Sequence, residues 1–277
     1  MKEDKKMKLR DKLWLWGHEQ GYYNNNRGDY GNFTDSRMSA MEACLYLGVN
    51  NTFMTELKTK LNKRQYNKSF TTLLNVAWNI GDDLVKTGGD MATVEKYLED
   101  AKDFPNVTAT VFDDFKSADQ YKKVPLENFK AMKERLHNND VRKIDSWMVL
   151  YTHEFGVDKQ SDEDFLPYLE VFDGIIMWTW KESEIDTIPE KFEIFKKMTK
   201  NNKRMFGLYL YNFGEAKPAT REAVLWQLDY YKEKLMAGEV EGIVLLTNTM
   251  ADLDLDAFDA AIEWVKEHGD EEVPDFN

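Results

Sequence analysis

Cysteine is almost absent: Cys44 is the only one among 277 residues. A lone thiol can form neither an internal disulfide nor a cysteine-based zinc site, so the fold has to rest on its core. A chain of this length buries roughly 75% of the surface it exposes when unfolded, which is enough without staples. Proline is scarce, at 6 residues, and no stretch approaches the roughly 18 apolar residues of a membrane span. The basic start from Met1 to Arg10 is followed by no apolar signal core. Positive charge is in deficit, with 37 Lys and Arg against 50 Asp and Glu and a net charge of −13. Such a surface repels phosphate backbones and anionic headgroups, which argues against nucleic acid and membrane partners and mildly favours a neutral substrate. Neither GxGxxG nor GxxxxGKS/T occurs, so the common nucleotide-cradling loops are missing.

Aromatic residues, by contrast, are plentiful: 8 Trp, 13 Tyr and 16 Phe. Short apolar, β-branched or aromatic runs alternate with longer amphipathic stretches throughout, the pattern of repeated βα units. Eight strands are expected, beginning near Leu13, Asn51, Asn75, Asn106, Asp145, Asp173, Arg204 and Glu241, with starts 24 to 39 residues apart. That spacing accommodates a strand, a loop, a helix and a short return. Ser39-Ala-Met-Glu42 and Ser161-Asp-Glu-Asp164 read as helix N-termini, the first a capping box. Pro125 and Pro218 suit first helical turns. Leu126, Phe129, Met132 and Leu136, and later Phe258, Ile262 and Val265, follow helical spacing. The expectation is a single (β/α)8 TIM barrel over residues 12–270 with an exposed N-terminal tail at 1–11 and a C-terminal tail at 271–277. The segments Gly17 to Arg37 and Glu56 to Lys68 are its main embellishments.

In such a barrel the active site lies where the strands end, so the last residues of each strand name the candidates. Strand 1 ends in Trp16-Gly17-His18-Glu19, strand 2 in Thr55-Glu56 and strand 3 in Trp78-Asn79, with Asp82-Asp83 beyond. Strand 4 ends in Phe112-Asp113-Asp114-Phe115, strand 5 in Tyr151-Thr152-His153-Glu154 and strand 6 in Trp178-Thr179-Trp180. Strand 7 ends in Tyr209-Leu210-Tyr211-Asn212 and strand 8 in Thr247-Asn248. An aromatic, polar and acidic mouth suits a carbohydrate, whose C–H faces pack on indole and phenol rings while its hydroxyls bond to carboxylates and amides. The bland reading is that the Trp and Tyr residues merely fill the top of the barrel.

Asp113-Asp114 is the sharpest local feature. Adjacent carboxyls repel, so retaining both at a barrel mouth implies that one keeps a proton or has a dedicated hydrogen-bond partner, which is how an acid catalyst is made. The structural alternatives are a helix cap or a solvated loop among Lys116, Asp119, Lys122 and Lys123.

Leu-Trp-Leu-Trp-Gly-His-Glu at strand 1, Phe-Asp-Asp-Phe at strand 4, Trp-Thr-Trp at strand 6 and the final Glu-Gly-Ile-Val-Leu-Leu together resemble glycosidase-like barrels associated with bacterial polysaccharide use. The resemblance covers nearly the whole chain. The acid pair is similar to that of the substrate-assisted hexosaminidases of the O-GlcNAcase type. It implies that Asp113 orients a substrate 2-acetamido group and that Asp114 is the general acid/base. Trp16, His18, Glu19, Glu56, Trp78, Tyr151, His153, Glu154, Trp178, Trp180, Tyr211, Asn212 and Asn248 are then the expected substrate contacts. Retaining enzymes with a protein nucleophile commonly pair the acid with a carboxylate after strand 7. Here that strand ends in Tyr211-Asn212, with Glu215 further out. This leaves substrate assistance, or an inverting scheme with Glu19, Glu56 or Glu154 as base.

Two other classes stay open. One is a carbohydrate-binding barrel without catalysis. The other is a metal-dependent sugar hydrolase or isomerase using His18 and His153 with Asp113, Glu56 or Glu154. No His-x-His or His-Glu-x-x-His motif supports it, and His137 and His268 fall on outer helices. No metal or other cofactor is expected. The expected partner is a carbohydrate; the sequence carries no signal for the oligomeric state. The lysine-rich start reads as an exposed tail of a soluble protein, periplasmic or secreted where a leader has been removed.

Overall fold

The computed structural model describes residues 7–25, 30–31, 34–56 and 60–274. Eight strands follow one another along the chain: β1 (Leu13–Gly17), β2 (Asn51–Met54), β3 (Asn75–Asn79), β4 (Val107–Phe112), β5 (Asp145–Tyr151), β6 (Gly174–Trp178), β7 (Lys203–Tyr209) and β8 (Gly242–Leu246). Every neighbouring pair is parallel, and β8 pairs with β1, closing the sheet into a single (β/α)8 TIM barrel. Around it pack α1 (Ala40–Leu47), α2 (Lys63–Ser69), α3 (Gly81–Lys86), α4 (Ala92–Ala101), α5 (Leu126–His137), α6 (Lys159–Leu169), α7 (Ile188–Met198), α8 (Arg221–Met236) and α9 (Asp256–His268). None of these helices is long and apolar enough to cross a membrane.

Tryptophan fills the barrel. Trp16 of β1 meets Trp178 of β6 with ring centroids 5.7 Å apart, and Phe53 of β2 meets Trp147 of β5 at 6.3 Å. These strands are not neighbours in the sheet, so the rings meet across the interior. Register makes the space: Trp147 is paired with Gly174 and Trp178 with Gly207. A Cβ at Gly174 would stand 2.3 Å from the Trp147 ring, and one at Gly207 2.0 Å from the Trp178 ring. Outward positions carry a second aromatic layer against the helices. Phe112 packs on Phe129 of α5, and Phe206 stacks on Tyr231 of α8 at 4.1 Å.

Helix starts follow local chemistry. Ser39 and Glu42 form the expected capping box, and Gly48 ends α1 in the left-handed region at φ 72°. Two starts differ from expectation. Asp158 caps α6 by accepting the Ser161 N–H, which leaves Ser161 inside the first turn. Pro218 lies in the two-residue strand Lys217–Pro218 paired with Tyr211–Asn212, while Thr220 caps α8. The chain ends differ too. From Met7 onward the expected N-terminal tail is docked: Leu9 is buried, Lys8 bridges to Glu272, and the Val273 N–H donates to the Met7 carbonyl. Residues 1–6 and 275–277 of the two tails lie outside the described residues.

Gly207→Ala is expected to cost about 1–3 kcal/mol or more, because the added methyl overpacks the Trp178 ring. Denaturant unfolding checks this, and Trp178→Leu in the same chain should recover part of the loss, whereas independent sites would give additive losses.

Candidate active site

Alternation along the strands decides which side chains reach the mouth. Because Phe112 faces the helices, the next residue, Asp113, faces inward at the end of β4. Trp147 faces inward, so Tyr151 does as well, two periods on. Gly207 lies beneath Trp178, and two residues later Tyr209 packs on both Trp178, at 4.8 Å, and Trp180, at 5.5 Å. Trp180 is half-buried and meets the Tyr151 ring edge-on at 6.2 Å. From the loop after β1, Tyr23 joins this group; its phenol feels both Asp113 and Asp114.

The acid pair is asymmetric. Asp113 is half-buried at the base of the mouth, whereas Asp114 is exposed. Burial pushes the Asp113 carboxyl well above the usual carboxylate range, and the neighbouring charges of Asp114 and Asp82 add to the effect. The Asp114 N–H donates to Asp113 Oδ1 at 3.0 Å, which only partly opposes it. Asp114 accepts hydrogen bonds from Tyr151 Oη at 2.9 Å and Ser117 Oγ at 3.3 Å, and its backbone is left-handed at φ 48°. A non-glycine residue in that region costs of order 1 kcal/mol and persists where surroundings enforce it. Gln120 ties the group together, donating from Nε2 to the Asp113 carbonyl at 3.0 Å and to Asp82 Oδ1 at 3.2 Å. Burial pushes the phenols of Tyr151 and Tyr209 upward, and both acids add to this, so the hydroxyls stay protonated donors.

The other expected residues divide sharply. His153 is exposed and stacks on Tyr151 at 5.4 Å, at the rim. Glu154 accepts the Tyr151 N–H at 2.8 Å through Oε2, while its buried Oε1 has no hydrogen-bond partner. Trp16 and Trp178 are buried inside the barrel beneath the mouth. Trp78 faces the opposite way, its indole N–H donating to Asn67 of α2 at 2.9 Å, so it belongs to the helix layer and not to the mouth. Tyr211 is buried with its hydroxyl donated to the Tyr30 carbonyl, and Asn212 holds Glu215 at 2.6 Å; Tyr209 takes the mouth position from that strand. Asn248 is buried and pins the loop after β1, accepting the His18 N–H at 2.8 Å and donating to the Met38 carbonyl at 2.9 Å.

His18 lies under Tyr22 and Tyr23, and burial pushes its pKa down to about 4, partly offset by the Thr55 main chain. It is a neutral imidazole. Glu56 is buried and already paired, with Lys63 at 2.6 Å and Lys60 at 3.4 Å, and accepts the Leu61 N–H. Glu19 is half-buried and acts on the Tyr66 phenol of α2, so neither Glu19 nor Glu56 pairs with Asp113. Tyr23 and Gln120 are the residues that strand ends alone do not reveal; Asp82 and Tyr209 stand at or just beyond strand ends but are absent from the expected substrate contacts. Among the described residues the group able to surround an ion is His137, Asp145 and Asp173. It lies where β5 and β6 begin, and Lys203 and Lys143 already pair with Asp145 at 2.7 and 3.1 Å. The residues weighed for a metal at the mouth form no such group.

No protein-family model matches the chain, and no curated protein does. Solved structures do. Active domain 2 of a chitinase from Pyrococcus furiosus, a catalytic-site mutant, superposes with TM-score 0.58 at 8% identity over 93% of this chain and 96% of that one. The GH51 arabinofuranosidase from Xanthomonas axonopodis pv. citri gives 0.54 at 11% over 96% and 74%. The GH99 endo-alpha-mannosidase from Bacteroides thetaiotaomicron gives 0.53 at 10% over 93% and 97%. The likeness is one of fold.

Burial pushes Glu154 up to about 7, with Asp114 adding to this and the Tyr151 N–H and Lys116 opposing it. The folded state therefore holds a proton that the unfolded chain, at about 4.3, releases. This contribution to stability is full below the unfolded value and is lost as pH rises through about 7. Glu154→Gln keeps the acceptor for Tyr151 and removes the ionisation. Its melting temperature should rise relative to the parent between pH 5 and pH 8; a difference independent of pH would refute this.

Proposed function

We propose that the chain is a glycoside hydrolase acting on a neutral or N-acetylated glycan at the mouth of the barrel. The observation that carries the reading is the unequal acid pair: Asp113 half-buried with its carboxyl pushed well above the usual range, Asp114 exposed and fixed by two donors, with Tyr23, Tyr151, Tyr209 and Trp180 about them. The solved structures that share the fold include a chitinase domain, an arabinofuranosidase and an endo-mannosidase, which favours a glycosidic substrate.

The surroundings favour a division of labour opposite to the one the hexosaminidase resemblance implies. Asp113, whose carboxyl burial and the charges of Asp114 and Asp82 push toward the protonated form, gives its proton to the glycosidic oxygen as the bond to the anomeric carbon breaks. In an N-acetylated substrate the acetamido oxygen closes on that carbon, and Asp114 accepts the acetamide N–H and holds it in line. Water then opens the cyclic intermediate and its proton returns to Asp113. Tyr151 keeps Asp114 in place, and the aromatic rings offer faces for the sugar.

The test uses aryl glycosides with good and poor leaving groups. Asp113→Asn should lower turnover by about 10²- to 10⁴-fold for poor leaving groups and much less for activated phenols, with binding retained. Asp114→Asn should slow both classes of an N-acetylated substrate. The reverse pattern would return the roles to those of the resemblance. Sugar binding without turnover of any aryl glycoside would favour a binding barrel. Equal losses of activity and thermal stability in both variants would make the pair a structural element.

A further inference from the structure

We propose that a second carbohydrate subsite, selective for an acidic sugar unit, lies beside the mouth in the groove that Glu56 and residues 60–64 form with helices α3 and α4. It rests on reading the mouth as a glycan site and narrows that reading: the sugar bound at Asp113 is itself neutral or N-acetylated, and a neighbouring unit of the same glycan carries a carboxylate or sulfate.

The groove encloses about 790 Å3, within the range of small-molecule sites. Its charge runs against the rest of the molecule. Lys60, Lys63, Arg64, Lys86 and Lys96 line it against three carboxylates, Glu56, Asp83 and Asp100, so it carries an excess of two positive charges on a chain of net charge −13. The pairing inside it is uneven. Lys63 is spent on buried Glu56, and Lys60 is shared between Glu56 and Asp83. Arg64 turns to Asp103 at 2.6 Å. Lys86 and Lys96 are exposed, and neither forms an ion pair or hydrogen bond with the described residues. Two uncommitted ammonium groups at one groove bind an anion, and Lys, a flexible point charge, serves carboxylate and sulfate alike. Leu61, Ile80 and Tyr97 supply apolar surface for the ring.

The groove is also coupled to the acid pair. Asp82, in the first turn of α3, feels Lys86 and Lys60 on one side and Asp114 on the other. Gln120 bonds both Asp82 and the Asp113 carbonyl. One glutamine thus links α3, whose side forms part of the groove, to the base of the mouth.

Glucuronate, glucose 6-sulfate and glucose, titrated at low salt by calorimetry, test the proposal without needing turnover. At least one of the two acids should bind 10-fold or more tightly than glucose, and the stronger of the two names the acid group. Lys86→Ala/Lys96→Ala should lose at least 5-fold of that binding with little change in melting temperature, since neither side chain forms an ion pair or hydrogen bond with the described residues and Lys86 acts on Asp82 only at longer range. Asp113→Asn should keep it. The proposal is overturned if no acid exceeds glucose, if the lysine variant binds undiminished, or if Asp113→Asn loses the binding, which would move the acid to the mouth. A failed hydrolase reading would appear instead as absent turnover of every aryl glycoside, with these titrations unchanged.

Discussion

The site depends on tryptophan packed over glycine inside the barrel. Trp147 over Gly174 and Trp178 over Gly207 are direct register pairs, so the bulk on one strand is accommodated by the missing side chain on the next. The indoles make a rigid floor, and a close-packed floor leaves the residues one or two periods above it little freedom. Tyr151 stands above Trp147, Trp180 above Trp178 and Tyr209 above Gly207. A shift of one residue in any of these strands would turn the tyrosine out toward the helices.

On that floor the electrostatics are arranged against ionisation. Asp113 is surrounded by Asp114, Asp82 and phenols whose own ionisation is opposed by burial and by the two acids. Among the described residues no cation pairs with it; Lys116 bonds the Glu154 carbonyl and Lys60 serves the pair Glu56 and Asp83. Such a setting pushes a carboxyl toward its protonated form, the form that the proposed proton transfer requires. The positive charge of this region is concentrated in the adjoining groove, where it meets no group of the acid pair directly.

The architecture was legible in the sequence because strand runs and helical stripes differ in period, and all eight strands begin within one residue of where the pattern puts them. The acid pair was legible as a place, since two carboxyls directly after a β-branched run can only stand at a strand end. Side-chain phase was not. A strand buried on both faces has no polar side to mark inward from outward, so Trp78 and Tyr211 read as mouth residues while Tyr209 did not. Tyr23 and Gln120 enter through loop and helix packing, Gln120 bonding Asp82 across 38 residues of separation and Tyr23 meeting the acid pair from the loop after β1, and spacing along the chain carries no trace of such contacts.

The most direct measurement is the pH titration of the Asp113 side-chain carboxyl by carbon NMR, in the parent chain and in Asp114→Asn. The account predicts a midpoint well above the ordinary value of about 3.9 in the parent, and a lower one when the charge of Asp114 is removed. A parent midpoint at or below the ordinary value, or one that Asp114→Asn leaves in place, would contradict it.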